Sequence, residues 1–261
     1  MMKRFFVIAL FVLGFGQLYA QPVRDTAWTK AGYFGLKLTQ VSLSSWSAGG
    51  ESALAFDSQI TYSADFKRDR QLWQNRLELG YGLTKNDGKS ARKTNDKIYF
   101  ASTYGYQIYK TLYWSALLNF NTQFAKGYDY NIEDSDFISK FMAPGYLMIG
   151  TGVTWSPNKI FTATFTPASW RGTIVADSRL SDEGAFGVDK GKHLLSEFGA
   201  NLKAEVNYEF LPNMKVYSRL ELYSNYLKDP QNIDVRWEVQ LNMAINKWFS
   251  TTLSTNLLYD N

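Results

Sequence analysis

The sequence contains no cysteine. That removes disulfides, thiolate metal sites and a lipid-modified cysteine together. It does not argue against an oxidising compartment, because a large sheet closed by its own hydrogen bonds needs no staple. Long apolar runs are also missing. Beyond residue 20 no stretch approaches the roughly 20 apolar residues of a membrane-spanning helix, and mean hydropathy is −0.28. A helical membrane protein is thereby excluded. A transmembrane β-barrel is not, since only every second residue of its strands faces lipid. A strong excess of charge is missing too. With Lys3 and Arg4 set aside, 26 basic residues stand against 24 acidic ones. A nucleic-acid footprint is absent despite a pI near 9.0.

What is present begins with an export signal. Lys3 and Arg4 precede the apolar stretch Phe5–Phe15, which is too short to span a bilayer, and Ala20 offers a small residue at a cleavage point before Gln21. Residues 1–20 are therefore expected to be a signal peptide, 21–30 a periplasmic segment and 31–261 a single β domain. No linker or shift in composition divides that domain.

The remainder alternates with a period of two residues. Ile233, Val235, Trp237, Val239, Leu241, Met243 and Ile245 fall on one face, with Asp234, Arg236, Glu238, Gln240 and Asn242 on the other. Residues 198–210 and 214–222 repeat the pattern; a helix would scatter these charges all round its cylinder. Eleven strands are predicted: 31–42, 52–66, 72–85, 96–109, 111–125, 141–155, 159–169, 196–210, 214–226, 232–245 and 248–259. Short turns at Lys67–Arg70, Tyr109–Thr111, Ser156–Lys159, Leu211–Asn213 and Asn246–Lys247 alternate with longer loops. Tight turns on the periplasmic side and longer loops outside are what an outer-membrane barrel shows.

Period two alone does not say whether the apolar face meets lipid or a core. A soluble lipocalin-like barrel or a sandwich turns it inward. Three features favour lipid. The strand count exceeds eight, the apolar faces are almost free of charge, and aromatics crowd the strand ends. Those aromatics are Tyr33, Phe34, Phe66, Trp73, Tyr106, Tyr109, Tyr113, Trp114, Trp155, Phe161, Tyr208, Phe210, Trp248 and Phe249. The fold expected is all-β, an antiparallel up-and-down transmembrane barrel. Eleven strands would end the last one on the long-loop side, whereas bacterial barrels have an even number. Either 159–178 contains two strands, or a terminal strand is miscounted, or a closing strand lies outside these residues. The complete barrel is expected to have about twelve.

Several stretches carry a family likeness: Gly35–Trp46 with Ala48–Glu51, Leu79–Leu83, Ser115–Phe120, Gln123–Ala125, Gly127–Tyr130, Phe141–Pro144, Leu180–Asp182, Gly184–Asp189, Ser224–Tyr226 and Asn232–Val235. On these the chain resembles a Bacteroidetes-type outer-membrane β-barrel domain of unknown function. The resemblance implies a barrel in a Gram-negative outer membrane, in contact with its lipid and lipopolysaccharide. It implies no activity and carries over no catalytic residue. It also implies a closing strand beyond residue 261.

Chemistry is sought next. Outer-membrane hydrolases pair a histidine with a serine whose proton it takes. His193 is the only histidine, and Ser196 follows at a spacing that does not keep both on one face of a strand. The acidic loop with Asp129, Glu133, Asp134 and Asp136 fits no calcium-loop spacing. Lys85, Lys89, Arg92, Lys93 and Lys97 form a basic stretch that would suit lipopolysaccharide phosphates if it faced outward. Gly184–Lys192 lacks the glycine and the Ser/Thr of a phosphate loop. No catalytic, cofactor or metal residue is assigned.

The polar faces carry the strongest constellation: Asp57, Arg76, Glu78, Lys203, Glu205, Glu209, Arg219, Glu221, Asp234, Arg236 and Glu238. Arg219 is expected near Glu205 and Glu238, and Arg236 near Glu221. Such a set either neutralises and plugs a narrow lumen, or forms a constriction that selects solutes. The functions left open are a plugged scaffold that partners another envelope protein, a small-solute channel, an outer-membrane enzyme acting on lipid or peptide, and a soluble periplasmic binding protein.

Overall fold

The computed structural model describes residues 27–43, 50–132, 136–244 and 250–259. The expected signal peptide, Trp46, Glu133, Asp134, the turn at 246–247 and the aromatics Trp248 and Phe249 lie outside the described residues. In chain order the elements are β1 (Trp28–Val41), β2 (Ala53–Arg68), β3 (Gln71–Asn86), β4 (Arg92–Tyr109) and β5 (Leu112–Thr122). A small hairpin follows, β6 (Gly127–Tyr128) with β7 (Phe137–Ser139). Then come β8 (Gly145–Trp155), β9 (Phe161–Ile174), the short helix α1 (Ser178–Glu183), β10 (Leu194–Leu211), β11 (Met214–Asn225), β12 (Ile233–Ala244) and β13 (Ser250–Tyr259).

Eleven of these strands form one sheet in the order β1-β2-β3-β4-β5-β8-β9-β10-β11-β12-β13, each antiparallel to its neighbours. The fold is all-β and up-and-down, as the alternation requires. β1 and β13 form the two edges and run in the same direction, and among the described residues no pairing joins them. The stretch 159–178 holds one sheet strand, not two.

The faces are inverted relative to a water-soluble protein. Along β9, Thr164 is 6% exposed and Thr166 0%, while Phe165 between them is 49% exposed. Ser115, Ser169, Thr173 and Asn201 are buried with the threonines; Phe34, Ile60, Leu202 and Trp237 are on the opposite, exposed face. Burial normally runs the other way, and a contiguous apolar face of this extent marks a surface that meets a partner or a membrane.

The polar face is concave. Arg171 on β9 donates to Asp234 on β12 at 3.2 Å, three strands away. Tyr99 on β4 lies within electrostatic reach of Arg219 and Glu221 on β11, five strands away. In a flat sheet five spacings are about 24 Å. The sheet is therefore rolled with its polar side inward.

Both ends show why the sequence folds this way. Two-residue turns carry positive φ at Asp69 (51°) and Asn213 (67°), a conformation that Asp and Asn tolerate. Toward the short turns the outward aromatics touch in three separate groups: Trp28 with Phe66 at 5.2 Å and Trp73 at 5.9 Å, Tyr104 with Trp114 at 6.5 Å, and Trp155 with Phe161 at 5.6 Å. Tyr33 and Phe34 do not belong to that end, because β1 begins at Trp28 and places them in mid-strand.

At the other end the segments 123–132 and 136–144, together with the loop 175–193, build a compact cap. Its core is Ala143, Val175, Leu180 and Val188, with Phe137 and Leu195 against it. Ala176 N–H donates to the Met142 carbonyl at 2.8 Å, and Gln123 Nε2 donates to the Lys140 carbonyl at 3.0 Å.

Register shifts mark β-bulges, where one glycine is obligatory. Gly152 sits at the shift between Thr151 and Val153, and a Cβ there would meet the Phe165 carbonyl oxygen at 2.0 Å. Backbone cannot yield as a side chain does. Gly152→Ala should lower unfolding stability by about 1–3 kcal/mol, read as a reduced urea midpoint of protein refolded into vesicles.

Candidate functional site

The inward rows of the rolled sheet bring most of the sequence-predicted charges into three groups. On β2–β4, Glu78 takes Arg76 and Lys97, each at 2.5 Å, and Asp57 accepts from Asn95 at 3.1 Å. Gly82 leaves room for the Asp57 carboxylate, which a Cβ there would approach to 2.6 Å.

On β10–β12, Glu205 accepts from Tyr217 Oη at 3.0 Å and pairs with Lys203 at 3.2 Å. Arg219 donates to Tyr217 Oη at 2.8 Å and reaches Glu205 at 3.6 Å and Glu238 at 3.7 Å. Glu209 pairs with Lys215 at 3.3 Å, and this pair sits exposed at the short-turn rim, away from the interior. Glu221 and Arg236 are direct cross-strand partners in register. Among the described residues neither forms an ion pair within 4.0 Å. Arg219, Glu221, Arg236, Glu238, Asn256 and Leu258, with Trp237 and Leu257 of the outward face, line an open pocket of about 220 Å³ at the β12–β13 edge of the sheet.

The third group is centred on Arg171, a residue outside the sequence-predicted set. Its guanidinium makes a two-pronged bond to Glu197 at 2.7 and 2.8 Å and reaches Asp234 at 3.2 Å. It stacks on the Tyr223 ring, 3.9 Å from the centroid. Glu197 also accepts from Asn225 at 3.0 Å. The planar fork suits a carboxylate on its edge and a ring on its face at once. A bulge hid this group from the periodicity. At Pro167 one extra residue enters β9, so the inward set passes from Thr162, Thr164 and Thr166 to Ser169, Arg171 and Thr173.

The remaining motifs are engaged otherwise. His193 Nδ1 lies 2.7 Å from the Val175 carbonyl, while Ser196 Oγ accepts from Trp170 Nε1 at 2.6 Å. Their spacing places them in different contacts. In the basic stretch, Lys93 pairs with Asp96 at 2.7 Å and donates to the Ala125 carbonyl at 3.0 Å. Lys89 pairs with Glu51 at 2.9 Å, and Arg92 lies over the Tyr130 ring at 5.3 Å. These cations tie β4 and the loop before it to neighbouring loops.

The cap has its own electrostatic latch. Asp177 precedes α1 and accepts from the Leu180 N–H at 3.0 Å, and it pairs with Lys140 of the other loop at 2.5 Å. Arg179 lies 4.4 Å from the Phe137 ring centroid, Lys126 4.7 Å. The Lys140 ammonium and the Leu180 amide hold the Asp177 carboxyl below the usual carboxylate value. A depressed folded-state pKa contributes stability above the unfolded value, and that stability is lost as pH falls through the folded value. Proteolytic nicking within 175–193 should therefore rise as the pH is lowered through the acid range. Asp177→Asn should nick readily at neutral pH and lose most of the acid dependence.

Comparison with known families adds a coarse result. A family model described as a protein of unknown function (DUF3078) matches residues 38–128, and one described as a protein of unknown function, DUF481, matches residues 170–261. The chain is similar to both. The first match runs from within β1 to β6, the second from late β9 through β13, and one continuous sheet passes through the two. No curated protein matches the chain.

Proposed function

We propose that this protein is an outer-membrane β-barrel whose narrow interior is filled by ion pairs, and that it serves as a capped envelope scaffold in contact with lipid, lipopolysaccharide and another envelope protein. The observation that carries this reading is the run Thr164–Phe165–Thr166, in which the two hydroxyls are buried and the phenylalanine is exposed. Only an apolar solvent makes that arrangement favourable over a whole sheet. The outward side of β2 from Leu54 to Phe66 carries no charge, and its 13 residues at about 3.3 Å each, tilted about 40°, cover the hydrocarbon thickness. Hydrocarbon also demands that the β1 and β13 edges be paired. No catalytic step is assigned, since His193 and Ser196 are turned to different partners.

A second reading is passage of small solutes along the charged inner face, where Arg171 and Arg219 stand among carboxylates. Fractionation tests the first. Protein from the outer-membrane fraction should migrate faster on a gel unheated than boiled. A periplasmic protein without that shift would overturn the membrane reading in favour of a soluble binding protein. Planar-bilayer conductance separates scaffold from channel: the scaffold gives no current above background.

A further inference from the structure

The two ends of the sheet differ in charge. At the short-turn end six exposed cations stand close to the edge of the wall. Lys67, Arg68 and Arg70 surround the β2–β3 turn, Lys110 joins β4 to β5, Lys159 lies between β8 and β9, and Lys30 is two residues into β1. Against them stand Asp69 in the same turn and, on the inner face opposite Gln74, Asp65. Lys215 at this rim is neutralised by Glu209. The long loops at the opposite end have the reverse balance: 42–52, 87–91, 123–144, 175–193 and 226–232 hold eleven acidic residues and seven basic ones. Three of the rim cations lie over aromatic rings: Lys30 over Trp28 at 5.9 Å, Arg68 over Phe66 at 5.7 Å and Lys110 over Tyr109 at 5.5 Å. Aromatic rings at strand ends mark the level where a bilayer meets water. A cation resting on such a ring is held beside the wall at headgroup height, its stem on the apolar surface and its charge in water.

We infer that the short-turn rim binds the headgroups of anionic phospholipids in the leaflet that surrounds it. The inference rests on the reading of the outward face as lipid-facing, and it names the lipid that one end of that face selects. Each basic residue near an anionic leaflet strengthens association about fivefold. The attraction fades within a Debye length of about 10 Å, so the acidic loops across the bilayer do not cancel it. A docked acidic protein would meet the turn tips. It would draw nothing from cations held back on the outward rings of Trp28, Phe66 and Tyr109; a lipid headgroup meets those first.

The test is native mass spectrometry of the full-length barrel refolded in an uncharged detergent. It is titrated with phosphatidylglycerol, and with phosphatidylcholine as the lipid of no net charge. Phosphatidylglycerol should bind on the order of tenfold more tightly, and that preference should shrink as the salt is raised. Lys67→Gln, Arg68→Gln and Arg70→Gln together should cut it by about fivefold or more. Lys190→Gln with Lys192→Gln, on the cap, should leave it unchanged. A polyglutamate peptide serves as the acidic-protein probe and should bind more weakly than phosphatidylglycerol. Each variant is first checked for heat-modifiable migration. A folded barrel that takes both lipids equally, keeps its preference in the rim variant, or binds polyglutamate more tightly overturns the headgroup site and leaves the barrel standing. Absence of the heat shift in the unaltered protein overturns the barrel, and the site with it.

Discussion

Ile60→Arg should destabilise the protein in a lipid bilayer by about 2–4 kcal/mol, the cost of an arginine at the hydrocarbon midplane. Ile60 lies in the middle of β2, outward and 40% exposed. In water the same change would fall within about 0.5 kcal/mol, since surface substitutions are nearly neutral. Phe66→Arg, at the short-turn rim of the same strand, should cost only about 0–1 kcal/mol in the bilayer. Urea unfolding in vesicles, followed by tryptophan fluorescence, measures both. The depth dependence is the decisive reading: equal small effects at both positions would mean that the apolar face does not contact hydrocarbon.

Arg171→Ala should be damaging from the inside. The guanidinium holds Glu197 and Asp234, whose side chains are 12% and 19% exposed, and it covers Tyr223. Its removal leaves two carboxylates without their cation. Breaking a fully buried pair costs about 3–5 kcal/mol. Arg171 is 27% exposed, so the expected loss is smaller, about 2–3 kcal/mol. The same urea titration gives the value. Arg171→Lys keeps the charge but loses the fork and the stacking, and should recover only part of it. Adding Glu197→Gln to Arg171→Ala should restore stability relative to the single change, because one orphaned charge is removed. If the double variant is less stable than Arg171→Ala, the cluster is not held by charge compensation.

The strands were legible because a two-residue period survives wherever one face is apolar and the other polar. The predicted strand at 214–226 and the observed Met214–Asn225 differ by one residue, and 72–85 became Gln71–Asn86. Errors fell where that period breaks. Pro167 and its bulge shift the face of every later residue in β9, so the strand was ended at 169 and Arg171 was placed in a loop. The odd strand count, not the pattern, suggests two strands in 159–178, where β9 is the single sheet strand. The cap was not legible at all. Ala143, Val175, Leu180 and Val188 share no spacing, and only the tertiary fold brings them together. Within the interior, register put Arg219 beside Glu205 and Glu238, as period two implies, but it could not say that Glu221 and Arg236 would stay apart.

The cap also divides the wall mechanically. Its two loops join β5 to β8 and β9 to β10, so its hydrogen bonds and apolar cluster fasten together the four strands at the centre of the sheet order. β1 and β13 lie at the two ends of that order and have no such fastening. Opening free energy should therefore fall from the centre toward both edges. The sheet behaves as a stiff keel with two loose gunwales, and exchange of backbone amides with solvent begins along those two edges.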